Sequence, residues 1–150
     1  METIISVLVA ILFWILKGVL ALLVIMLVFG PPIWLYERRR FRLLAEARQG
    51  LSICQFARSF DYRRTDTKII RAVYEGLQEW AIGANFPIKA DDSISDIYRM
   101  VDEDLDDFAE EVAAKTNRSL TNTTSNPYFG KVKTAKDLVL FLNCQPKLAA

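Results

Sequence analysis

The first 29 residues are almost continuously apolar. From Ile4 to Phe29 the only charged residue is Lys17. A helix rising 1.5 Å per residue needs about 20 residues to cross the hydrocarbon core of a bilayer, so this run is long enough to span it with some tilt. A cleaved signal peptide fits poorly, because the leading Met1-Glu2-Thr3 has no basic side chain and no small-residue cleavage site follows. The pattern therefore predicts a transmembrane anchor over residues 1–30.

Later apolar residues recur at helical spacing. One helix is expected to open after Thr65 or Asp66 and to end near Gly83, and a second covers about Asp102 to Thr116. Capping boxes at Ser52–Gln55 and Thr134–Asp137 predict the start of a short helix and of a last helix. The residues expected to face the core are Ile69, Ile70, Val73, Tyr74, Leu77, Trp80, Ala81, Leu105, Phe108, Ala109, Val112, Ala113, Leu138, Phe141 and Leu142.

No segment alternates cleanly enough to predict a strand, so the expected fold is all-α, with one N-terminal transmembrane helix and a small helical bundle. Gly30-Pro31-Pro32 predicts a break after the anchor. The expected division is a transmembrane anchor over 1–30, a basic juxtamembrane helical linker over 31–64 and a helical domain over 65–150.

Two stretches allow more than one interpretation. Val139 and Leu140 make the last helix apolar around much of its circumference, as in a buried central helix or a helix with a second contact surface. The run from Asn126 to Gly130 is expected to form a tight turn in which two aromatic side chains plug the core.

Composition removes several kinds of chemistry. The chain has no histidine, which excludes a Ser/His/Asp or Cys/His nucleophile system and an imidazole-ligated metal. Cys54 and Cys144 are 90 residues apart without a CxxC motif, so neither a zinc cluster nor a disulfide framework is readable. No spacing of the remaining polar residues indicates a catalytic site, and we expect the protein not to be an enzyme.

The net charge of +1 hides three charged blocks. Residues 30–74 carry ten Lys/Arg and four Asp/Glu, residues 75–111 carry two and twelve, and residues 112–150 carry six and one. Such blocks create fields that a partner can sense. Nucleic acid is a poor partner, because the basic block is explained by membrane topology and its neighbour is strongly acidic.

Arginines follow the apolar run and set the expected orientation. Four arginines follow it closely, whereas no basic residue precedes Ile4. They are Arg38, Arg39, Arg40 and Arg42. The positive-inside rule therefore predicts a single-pass protein of the cell inner (plasma) membrane, with its amino terminus outside and its C-terminal domain in the cytoplasm. These four arginines are expected to lie at the membrane surface, against anionic lipid. Lys17, near the middle of the span, either contacts another membrane subunit or extends its stem towards a headgroup region.

Seven acids fall within residues 102–111. Some favour the positive end of a helix dipole, and others could be a solvated face. An EF-hand is disfavoured by Asp107 and Ala113, which stand where the loop needs glycine and glutamate. A third interpretation is a docking surface for a basic partner, formed by Asp104, Asp107, Glu110 and Glu111.

The order of these features resembles an acyl carrier protein over residues 66–143. The resemblance is carried by a helix, a loop with Asp92-Ser93-Ile94, an acidic helix at Glu103-Asp104-Leu105-Asp106, and a last helix after Val132-Lys133-Thr134-Ala135-Lys136-Asp137. In that family a serine at the start of the acidic helix carries phosphopantetheine. Here Asp104 stands at the serine position in the best register, and a carboxylate cannot accept that arm, so no cofactor is expected. The domain is similar to uncharacterised bacterial carrier-like proteins that have lost the serine.

The expected function is that of a membrane-anchored, non-enzymatic adaptor or accessory subunit of a membrane protein complex. Its partner would be an integral-membrane or cytoplasmic protein with a basic surface. The alternative is a membrane-tethered acyl or peptidyl carrier protein modified with phosphopantetheine on Ser93, because Asp92-Ser93-Ile94 also resembles the family motif.

Overall fold

The structure is a computed structural model that describes residues 2–81 and 86–148, with side chains from residue 11 onward. Two compact units are present, Met1–Arg40 and Phe41–Ala150. The predicted all-helical fold is confirmed over the described residues. The helices are α1 (Glu2–Ala47), α2 (Ile53–Arg58), α3 (Thr67–Trp80), α4 (Ile94–Ile97), α5 (Asp102–Lys115) and α6 (Ala135–Asn143), with a 3₁₀ turn at Thr123–Ser125.

Helix α1 is long and apolar enough to cross a membrane. Its large apolar side chains from Ile11 to Tyr36 are exposed, as expected for a helix that meets lipid. The break expected at Gly30-Pro31-Pro32 is wrong, because the helix passes through both prolines. Proline removes a backbone donor, but its fixed φ is helical, and transmembrane helices tolerate it more readily than soluble ones.

The core of the second unit is organised around α3, which packs against α2, α5 and α6. The most deeply buried large side chains come from four of its helices and one connecting segment, and are Phe56, Ile69, Val73, Leu77, Ile88, Val112, Leu138, Val139 and Leu142. Gly76 lets α5 approach α3 closely, because a Cβ atom there would lie 2.8 Å from Cζ of Phe108. This approach fixes α5 on the domain with its acidic side outward.

The domain begins earlier in the chain than the sequence suggested. Phe41, Phe56 and Phe60 are buried in its core, although all three lie in the segment 31–64 expected to be a linker. The rings of Phe41 and Phe86 meet edge to face, with centroids 5.1 Å apart. The compact unit therefore starts at Phe41 and not at residue 65. Arginines flank these aromatic residues in the sequence, so the segment resembles a polar linker when only its charge is considered.

Most of the local helix predictions are confirmed. Asp66 caps α3 and accepts a hydrogen bond from the Lys68 amide. Thr134 and Asp137 form the predicted capping box of α6. Trp80, however, is not a core residue: it is 38% exposed, and its indole Nε1 donates to the Tyr98 carbonyl over 2.9 Å. An indole N–H needs such a partner, which keeps this side chain at the edge of the core.

The two open questions about the C-terminal third are answered by burial. Val139 is fully buried and Leu140 is half-buried, so most of the apolar circumference of α6 packs into the core. In the turn that precedes it, the side-chain amide of Asn126 donates to the Phe141 carbonyl over 2.9 Å, and Tyr128 packs against the core. Phe129 does not plug the core as expected, because it is 49% exposed.

Candidate functional site

Helix α5 carries the acids that the sequence singled out, and one of them closes its first turn. The Oδ2 atom of Asp104 accepts a hydrogen bond from the Val101 amide over 3.1 Å. Asp104 is half-exposed, so part of its carboxylate is committed to the helix start. Asp102, Asp104 and Asp106 all lie within α5, so they are not arranged as a calcium-binding loop.

The other three predicted docking residues lie on the exposed surface of α5. Glu111 pairs with Lys115 one turn later, with an Oε1–Nζ distance of 2.6 Å. The hydrogen bond to Glu111 raises the pKa of Lys115. Asp107 and Glu110 are exposed without such a neighbour on their own helix. The four predicted residues therefore share one helix but differ in how far they are available to a partner.

An open groove of about 570 Å³ runs along one side of α5. Its apolar lining comes from α5, α6 and the loop between them, and consists of Leu105, Ala109, Leu120, Phe129, Val132, Leu138 and Phe141. Its acidic edge is formed by Asp102, Asp106 and Glu110. These three residues are four apart, so they lie on one line along the helix at intervals of about 6 Å.

Sequence reasoning selected Glu110 but missed Asp102 and Asp106 as members of an acidic edge. The available signal was their four-residue spacing beside the apolar stripe of α5. Which side of the acidic helix borders an apolar groove could not be read from the sequence, because the groove depends on where residues 120–132 lie.

A buried ion pair fixes the loop before α4. Both guanidinium Nη atoms of Arg48 contact the Asp92 carboxylate, each over 2.7 Å. The side chains are only 10% and 4% exposed. Asp92 also accepts hydrogen bonds from the Lys89 amide and the Tyr98 hydroxyl. Burial, reinforced by the Asp92 carboxylate, raises the pKa of Tyr98. Sequence reasoning assigned Arg48 to the basic block and did not foresee this cluster.

Ser93, the alternative modification site, caps the four-residue helix α4. Its Oγ accepts a hydrogen bond from the Asp96 amide over 3.1 Å and lies 3.2 Å from Oγ of Ser95. Helix α5 begins later, at Asp102. The carrier family places its serine at the start of the acidic helix, whereas here Ser93 and the acidic helix belong to different elements.

A second polar cluster anchors the segment after α6. Arg118 is 8% exposed, and its Nη1 donates to the carbonyls of Asn143 and Gln145, while its Nη2 lies 3.2 Å from Oδ2 of Asp66. Chiefly through the hydrogen bond from the Lys68 amide, and despite burial, the pKa of Asp66 is lowered from its ordinary value of 3.8. The ionised form of Asp66 therefore ties the start of α3 to the C-terminal segment.

Asp66 is expected to make the stability of the domain depend on acid pH. A carboxyl whose pKa is lowered by folding stabilises the folded state above its unfolded pKa, and that contribution is lost as the pH falls through the folded value. At pH 6 we expect Asp66→Asn to be less stable than wild type by about 1–2 kcal/mol. Urea unfolding measured between pH 6 and pH 2 should show this difference shrinking below pH 4. A difference that stays constant with pH would contradict the assignment.

The basic side chains of α1 contact residues of their own helix or are exposed. Nζ of Lys17 lies 4.4 Å from the ring centroid of Phe13 and 5.5 Å from that of Trp14. Arg38 lies over Trp34, and Arg40 pairs with Glu37 over 2.7 Å. Arg39 and Arg42 are exposed. Lys17 thus extends towards the preceding turn of its own helix, as helical side chains do, which leaves both interpretations of this residue open.

Among the residues that the structure describes, no group of three or more Asp, Glu or Cys side chains is arranged to hold a metal ion. No known protein family, curated protein or solved structure matches this chain. The resemblance to acyl carrier proteins therefore stays a prediction, and the function has to be argued from α5 and its surroundings.

Proposed function

We propose that this protein is a membrane-anchored, non-enzymatic adaptor or accessory subunit that docks a basic partner through α5. The observation that carries the proposal is the exposed carboxylate surface of Asp107, Glu110 and Glu111, beside an open apolar groove. Like charges on one short helix repel one another, and a basic partner would relieve that repulsion. Asp104 contributes charge to the same surface while it caps the helix.

The anchor gives the docking surface its location. Helix α1 is long and apolar enough to hold the chain in a bilayer, and four arginines follow its apolar part. We propose that Arg38, Arg39, Arg40 and Arg42 lie at the inner surface of the plasma membrane, with the amino terminus outside and the helical domain in the cytoplasm. Lys17 is then available within the bilayer for a second integral-membrane subunit.

Neutralising the exposed acids of α5 should release the partner. We expect the triple variant Asp107→Asn, Glu110→Gln, Glu111→Gln to bind roughly 3- to 150-fold more weakly, because each exposed ion pair contributes about 0.2–1 kcal/mol. The measurement is recovery of co-purifying protein from native membranes in mild detergent. Adding Asp104→Asn should weaken binding further, with a separate cost to the start of α5.

A matched control neutralises three exposed acids on other elements of the domain, as Glu46→Gln, Asp61→Asn and Asp91→Asn. It should keep the partner bound. If every co-purifying protein stays attached to the α5 variant, or if the control loses as much as the α5 variant does, the proposed docking surface is wrong.

A further inference from the structure

The groove beside α5 combines two properties that select the same kind of ligand. Its lining is apolar over parts of α5, α6 and the intervening loop, and Phe129 stands half-exposed at its edge. Three carboxylates, from Asp102, Asp106 and Glu110, follow one side of it. An apolar surface next to a row of one charge fits a ligand that is apolar on one side and oppositely charged on the other.

The charge of the acidic edge decides the sign of the ligand. The described residues that line the groove include three acids and no lysine or arginine. An anionic ligand such as a fatty carboxylate would be repelled there, whereas lysine or arginine side chains would be attracted. The occupant is therefore basic as well as partly apolar.

The spacing of the acids indicates the form of the occupant. Carboxylates four residues apart recur about every 6 Å along α5. A second helix lying alongside presents basic side chains at the same interval when they too are four apart, with apolar side chains on the adjacent stripe. Three such positions cover about two turns, so a segment of about 12 residues is sufficient.

We propose that this groove binds an amphipathic, basic helical segment of the partner protein. Leucine-like side chains of that segment would pack on Leu105, Leu120 and Phe129, while its basic side chains would face Asp102, Asp106 and Glu110. The inference rests on the proposed docking function and adds the chemistry and shape of the partner. It also separates the acids of α5 into a row at the groove and a row outside it, which includes Asp107 and Glu111.

A designed peptide tests the groove without knowledge of the partner. The probe is a 14-residue labelled helix with lysine at four-residue intervals beside a leucine stripe, and the reference is a scrambled peptide of the same composition. Binding is measured by fluorescence anisotropy to the full chain in zwitterionic nanodiscs, with empty nanodiscs as the blank. We expect the amphipathic peptide to bind at least about tenfold more tightly than the scrambled one, in the weak range typical of small interfaces.

Variants on the two sides of α5 locate the binding. Binding of the amphipathic peptide should be weakened at least about fivefold by Asp102→Asn with Asp106→Asn, and separately by Phe129→Ala. The matched pair Asp107→Asn with Glu111→Gln should change the affinity for this peptide by less than about twofold, since these acids do not line the groove. Circular dichroism of each variant should show an unchanged total helix content.

Three outcomes would overturn the inference. Equal affinity for the amphipathic and scrambled peptides would show that binding depends on net charge and not on the shape of the groove. A single-chain cationic amphiphile that displaces the peptide and itself binds at least as tightly would assign the groove to a small ligand. Retention of the native partner by the groove variants, together with its loss from the Asp107/Glu111 variant, would reject the groove while the proposed function stands.

Discussion

Replacing Asp92 by alanine is expected to lower the free energy of unfolding of the helical domain by about 3–5 kcal/mol. The substitution leaves the nearly buried guanidinium of Arg48 without its counter-charge, and breaking one side of a buried ion pair typically has a cost of this size. It also removes the acceptor of the Lys89 amide and the Tyr98 hydroxyl. The measurement is urea unfolding of the full chain in detergent, followed by the fluorescence of Trp80 after Trp14→Phe and Trp34→Phe.

The control for Asp92→Ala is Arg42→Ala, which removes an exposed arginine 4.0 Å from Glu46. Exposed pairs contribute little, so this variant should lose less than about 1 kcal/mol. The double variant Arg48→Met, Asp92→Leu should recover part of the stability, because no unpaired buried charge remains. A loss for Asp92→Ala no larger than that of the control would contradict a structural role for the ion pair.

The second large effect is an all-or-none difference in thiol labelling. Cys54 and Cys144 are both exposed on the helical domain. The proposed orientation places this domain in the cytoplasm, so a membrane-impermeant maleimide should label neither thiol in intact spheroplasts and both after permeabilisation.

A single-cysteine variant, Thr3→Cys with Cys54→Ser and Cys144→Ser, provides the matched control for the orientation. It should be labelled in intact spheroplasts, because the proposed orientation places the amino terminus outside. Labelling of Cys54 or Cys144 before permeabilisation would reverse the proposed orientation and move the docking surface to the other side of the membrane.

The helices that were predicted correctly are those with local signals. Asp66 caps α3 through an amide two residues away, and Thr134 caps α6 through an amide three residues away. The ion pairs Arg48–Asp92 and Arg118–Asp66 were not predictable in this way, because their partners are 44 and 52 residues apart. Such pairs form only when the core has brought distant loops together.

The errors at the start of the domain have a related cause. The break expected at Pro31 and Pro32 follows from local rules for helices in water, whereas α1 continues through both prolines. Phe41 was assigned to a linker because arginines surround it, although its ring is buried against Phe86. At Phe41, tertiary packing overrides the local signal.

The acidic charge of the candidate site follows from the sequence, whereas the groove beside α5 does not. Clustered acids on one helix indicated a docking surface, and α5 was placed within one residue of its observed end. The separation of Asp102 and Asp106 from Asp107 and Glu111 follows from the loop that carries Leu120 and Phe129. Nothing in the sequence shows that this loop borders α5.

Site-specific photo-cross-linking from α5 in native membranes tests the docking claim most directly. The probe is a benzophenone amino acid at Ala114, an exposed position one turn beyond Glu110 that leaves every acid in place. A matched probe at Arg58, exposed on α2, reports background contacts. We predict a protein adduct from position 114 that disappears with Asp107→Asn, Glu110→Gln and Glu111→Gln, and none from position 58. No adduct at position 114, or equal adducts at both positions, would contradict a partner docked on α5.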